Sequence, residues 1–68
     1  IASPRAIIQL AYQAKVINNG DTWINMMLDR NALSHLYDEE KLREIYENVK
    51  NIYLNELNEL KEFLERNI

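Results

Sequence analysis

Apolar residues recur along this chain at intervals of three and four, and nowhere in sustained alternation, so the pattern predicts helices and no strand. Ser3 followed by Pro4 marks a helix start, because Ser caps free N–H groups and Pro at the first helical position sacrifices none. That helix runs to about Lys15, with Ile7, Leu10, Ala11 and Ala14 on one face and Ile17 just beyond. Asn18-Asn19-Gly20 should break it, since Asn and Gly tolerate positive φ, and Asp21 should cap a second helix over roughly Thr22 to Leu36. Asp38 is placed to cap a third, with Glu39 and Glu40 in its first turn, where acids favour the helix dipole.

The third helix should run from about Glu39 to Arg66. Its stripe is Leu42, Tyr46, Val49, Tyr53, Leu57, Leu60 and Leu64, widened by Ile45, Ile52 and Phe63. At 1.5 Å per residue it extends about 42 Å, whereas a compact globule of this length is only about 28 Å across. Its apolar face therefore calls for further helices or a second subunit. The fold class predicted is all-α, a helical bundle with three helices in this chain.

Length sharpens that expectation. At 68 residues the chain is one small domain, and such a chain buries only about 60% of its unfolded surface. The first residue is not Met, which agrees with a single helical domain over residues 1–68 that lacks its N-terminal helices. There is no cysteine, so neither a disulfide nor a thiolate metal site is available, which fits a reducing cytoplasm. No apolar run approaches the roughly 20 residues of a membrane span, and no signal-peptide pattern opens the chain. The net charge of -3 argues against nonspecific nucleic-acid binding, so any RNA-directed chemistry must rest on a local site.

The candidate site lies in Arg30-Asn31-Ala32-Leu33-Ser34-His35-Leu36-Tyr37. Counting from Trp23 at the helical repeat, the inner face reads Trp23, Met26, Met27, Arg30, Leu33 or Ser34, and Tyr37, which sets an arginine in an apolar stripe. Arginine is almost never buried without an anionic partner. The only histidine follows five residues later, about 140° round a straight helix. In the structural alternative, Arg30 pairs with Asp29, Asp38 or another acid, and His35 complements the C-terminal end of the helix dipole. Tyr46 and Tyr53 read as core or interface, Met26 and Met27 as packing beside Trp23, and the acids from Glu40 to Glu65 as a solvated face with Glu39–Arg43 and Glu62–Arg66 as i,i+4 pairs.

Arg-x4-His-x-Tyr, with a polar Asn after the arginine, resembles the signature of the HEPN superfamily of small helical proteins. It is most similar to the HepT branch, described as nucleotidyltransferase substrate-binding proteins. Ser3-Pro4-Arg5, the turn from Ile17 to Asp21, Trp23 and Tyr37-Asp38-Glu39-Glu40 resemble that family in the same order. The resemblance covers nearly the whole chain and matches the C-terminal half of such a protein.

It implies a homodimer acting as a metal-independent RNA endonuclease, the toxin of a toxin–antitoxin pair, with tRNA among its candidate substrates and no cofactor. Arg30 would hold the phosphate, His35 would act as general acid or base on the ribose 2′-hydroxyl, and Asn31 would support them. Tyr37 would be the residue to which a partner MntA-like nucleotidyltransferase adds AMP, silencing the cleft. The alternative is a non-catalytic subunit that binds a nucleotidyltransferase and presents its substrate. The chain itself has no Gly-rich phosphate loop and no Gly-Ser followed by Asp-x-Asp, so it is not expected to transfer nucleotides. One histidine without cysteine makes an internal zinc site a poor expectation.

Overall fold

The computed structural model describes residues 3–35 and 38–68. It is all-helical in the described residues: α1 (Pro4–Gln13), α2 (Gly20–Leu33), α3 (Glu39–Asn48), a π-helical turn (Val49–Tyr53) and α4 (Leu54–Arg66). The last three run end to end as the third helix that the periodicity predicts, because Asn48, Val49 and Leu54 all keep right-handed helical backbone. Within the rod the ladder widens: the Leu54 N–H donates to the Val49 carbonyl, an i to i+5 bond. The molecule measures 40 × 28 × 17 Å, its long dimension close to the length expected of the third helix.

Of the three caps read from local chemistry, Ser3 and Asp38 are in place. Ser3 accepts a 3.2 Å hydrogen bond from the Ala6 N–H, and Asp38 accepts one of 2.9 Å from the Glu40 N–H.

The α1–α2 connection works differently from the expectation. Helix α1 stops in a Schellman arrangement: Lys15 N–H donates to Tyr12 O at 3.1 Å and Val16 N–H to Ala11 O at 2.9 Å. The left-handed residue this needs is Lys15, with φ 63°, and no glycine carries positive φ. Gly20 instead opens α2, where a Cβ would sit 3.2 Å from Cδ1 of Tyr12, so its role is close approach to that ring. Asp21 is not the cap either. Asn19 precedes the helix, its side chain occupied elsewhere, while Asp21 lies in the first turn and favours the dipole. Helix α2 ends at Leu33, shorter than expected.

Helix α1 packs on α2, and α2 packs on the π turn. Among the described residues, the buried apolar ones are Ile17, Ile45 and Tyr53. Much of the predicted stripe on the long helix stays open: Leu42, Tyr46, Val49, Ile52, Leu57 and Leu64 are all at least two-fifths exposed. The inward positions are Ile45, Tyr53 and Glu56, with Leu60 and Phe63 half-buried. No helix among the described residues is long and apolar enough to cross a membrane.

Candidate functional site

The candidate residues gather at the C-terminal end of α2. Arg30 stands in its last turn, where a cation complements the dipole. Contrary to the expectation of an inner-face arginine, Arg30 is exposed, and it makes no ion pair or hydrogen bond with any described residue. The polar side chain that α2 turns inward is Asp29, one position earlier. Its Oδ2 accepts hydrogen bonds from the Tyr53 hydroxyl (2.5 Å) and from Nδ2 of Asn48 (3.2 Å). Asp29 follows Met26 by three residues and fits the helical repeat as well as Arg30 does, so the one-residue rotation is decided by its donors on the long helix.

Asn31 is exposed beside Arg30. His35 is exposed in the turn after α2, its N–H donating to Ala32 O at 3.0 Å, an i to i+3 bond that tightens the chain beyond the helix. Among the described residues, Arg30 and Asn31 line the groove described next, which does not include His35. Tyr37 lies outside the described residues.

The groove has a volume of about 680 Å³ and runs between α1, α2 and the long helix. Ile7, Trp23, Met26, Ile45, Val49 and Leu57 make it apolar, with Arg30 and Asp29 among its polar residues. Met26 and Met27 are half-buried there beside Trp23, as the sequence pattern implies. Tyr53 is core, only 6% exposed, whereas Tyr46 is exposed. Burial, followed by the hydrogen bond to Asp29 and the charge of that carboxylate, pushes the Tyr53 hydroxyl up to about 12, since each opposes a second negative charge.

Two further polar features were not legible in the pattern. Glu56 is buried at 7% exposure and accepts a hydrogen bond from Nδ2 of Asn19, so the acids of the long helix are not all solvated. Its position three residues after Tyr53 was the available signal. The Trp23 indole N–H is buried without a described partner, and Trp23 and Glu56 both line a cavity of about 230 Å³ beside the α1–α2 connection. Among the described residues the ion pair is Lys41–Glu44, at 3.0 Å, and neither Glu39–Arg43 nor Glu62–Arg66 closes. No group of three His, Cys, Asp or Glu side chains among the described residues is placed to hold a metal ion.

These features define a small helical protein with an open apolar groove and a solvent-facing Arg/Asn/His set at one helix end. A family model for proteins like the nucleotidyltransferase substrate binding protein matches residues 1–66, and the chain belongs to that family. No curated protein and no solved structure matches it significantly.

Proposed function

We propose that this chain is a HepT-like, metal-independent RNA endonuclease that a partner nucleotidyltransferase silences by adding AMP to Tyr37. The observation that carries the reading is Arg30: it is solvent-facing and unneutralised by any described residue, although a carboxylate stands next to it in sequence. A guanidinium left free in this way suits phosphate oxygens, which its planar fork can hold through two parallel hydrogen bonds.

In the proposed reaction a ribose 2′-oxygen attacks the adjacent phosphorus and the 5′-oxygen leaves. The products are a 2′,3′-cyclic phosphate and a 5′-hydroxyl. His35 takes the 2′-hydroxyl proton or supplies one to the leaving oxygen, a task suited to an imidazole, whose two ring nitrogens can accept and donate protons. Arg30 stabilises the charge that develops on phosphate, and Asn31 supports the contact. Because the groove that Arg30 lines does not include His35, the reading calls for a homodimer in which the two α2 ends face each other. Residues 1–68 then act as one helical domain whose groove is covered by further helical surface. AMP on Tyr37, two residues after His35 in sequence, would add a negative phosphate that competes with RNA. The setting is cytoplasmic.

The test is incubation of the full-length, unmodified protein with total cellular RNA in excess chelator, beside His35→Ala. Fragments ending in 2′,3′-cyclic phosphate from the wild type alone support the reading, and cleavage by a folded His35→Ala protein refutes it. A second reading, a non-catalytic subunit that binds a nucleotidyltransferase and presents its substrate, draws support from the family description and the net charge of -3. Failure of an unmodified dimer to cleave, with partner binding intact in His35→Ala, would favour it.

A further inference from the structure

We propose that Asp29 and Tyr53 form a positioning pair for Arg30, fixing the roll of α2 so that the guanidinium stays at the edge of the groove, free for a phosphate. This rests on the phosphate-handling reading of Arg30 given above.

Asp29 is the α2 residue whose side chain is hydrogen-bonded to another element among the described residues. The rest of α2 packs through half-buried side chains such as Trp23, Met26 and Met27, whose apolar contacts have no fixed direction, so the Asp29 bonds add the directional restraint on the roll of the helix. Arg30 follows Asp29 by one residue, about 100° round the helix. Any roll that carries Asp29 away from Tyr53 carries Arg30 away from its present place.

The π turn is the second part of the device. Asn48 and Tyr53 are five residues apart, which on a regular α-helix leaves about 140° between their directions. Both nevertheless donate to the same oxygen, Oδ2 of Asp29. The i to i+5 bond between Val49 and Leu54 lies within this interval and widens the winding there, turning the two donors toward one point. An extra residue in a helical turn is a local irregularity, and here it assembles a two-donor seat for one carboxylate. With two neutral donors satisfying that oxygen, Asp29 has less need of the neighbouring cation, and Arg30 remains available to an external anion.

A double-mutant cycle on the full-length chain tests this. The probe is a non-cleavable 2′-O-methyl RNA oligonucleotide, and the readout is its Kd for wild type, Tyr53→Phe, Arg30→Ala and the double variant. Tyr53→Phe should weaken binding about fivefold when Arg30 is present and leave it unchanged when Arg30 is alanine, the signature of coupled residues. Equal weakening in both backgrounds overturns the proposal, because a merely structural tyrosine would act without regard to Arg30, and leaves the RNA reading standing. Wild type and Arg30→Ala binding alike, or not at all, overturns the RNA reading and this proposal with it. If Tyr53→Phe fails to fold, Asn48→Ala removes the longer of the two bonds and should show the same coupling to Arg30 at smaller size. Its absence there is equally decisive.

Discussion

The side-chain amide of Asn19 donates to Oε1 of Glu56 across 2.5 Å, tying the residue that precedes α2 to a carboxylate buried in α4. The bond joins positions 37 residues apart and holds the α1–α2 connection against the long helix. It also explains why Asn19 makes no side-chain cap for α2.

Glu56→Ala should therefore destabilise the chain by about 1.5–3 kcal/mol, the range for hydrogen bonds to charged groups. Glu56→Gln keeps an acceptor in place and should lose less than half as much. Urea unfolding of the three proteins measures both. Equal losses would assign the effect to the charge of Glu56 instead of to its bond with Asn19.

Lys15 occupies the left-handed position of the α1 stop, where a side chain costs about 1 kcal/mol. Lys15→Gly should raise stability by up to that amount, offset in part by the greater freedom of glycine in the unfolded chain. A thermal midpoint that falls on this substitution would contradict the conformation assigned to Lys15.

Tyr53 provides a pH signature. Its folded hydroxyl ionises at about 12, against about 10 for an unperturbed tyrosine, so the folded state holds the proton longer than the unfolded state. The stability linked to this group is complete below pH about 10 and is lost as pH rises from about 10 through about 12. Tyr53→Phe should lack that part of the alkaline decline. Ultraviolet titration of the folded protein should show Tyr53 ionising above the normal tyrosine range.

Arg30 and His35 are exposed, so their removal should barely touch stability. Arg30→Ala and His35→Ala should each remain within about 0.5 kcal/mol of wild type in urea unfolding. RNA cleavage should be abolished in both. A large stability loss in Arg30→Ala would point instead to a structural ion pair.

The open groove predicts concentration dependence. Ile7, Val49 and Leu57 are all more than two-fifths exposed along it, and covering them in a homodimer would link folding to association. The thermal midpoint of the chain should rise with protein concentration. A midpoint constant over a hundredfold range would show that a second copy does not cover this face.

The sequence alone determined the features that arise within a turn or two of chain. The Ser3 and Asp38 caps are bonds to N–H groups two or three residues away, and the helical periodicity is set by the repeat itself, so both could be read directly. The family resemblance carried by Arg30 to Tyr37 was likewise legible, and the match over residues 1–66 agrees with it. The tertiary structure decided what depends on distant partners. Whether Asp29 or Arg30 faces inward turns on donors 19 and 24 residues away, and the burial of Glu56 turns on an amide 37 residues away. Helical spacing allows either rotation of α2, since positions 29 and 30 both follow Met26 and Met27 at the helical repeat. The seat formed by Asn48 at the end of α3 and Tyr53 in the π turn holds the carboxylate, in the rotation that leaves the guanidinium exposed.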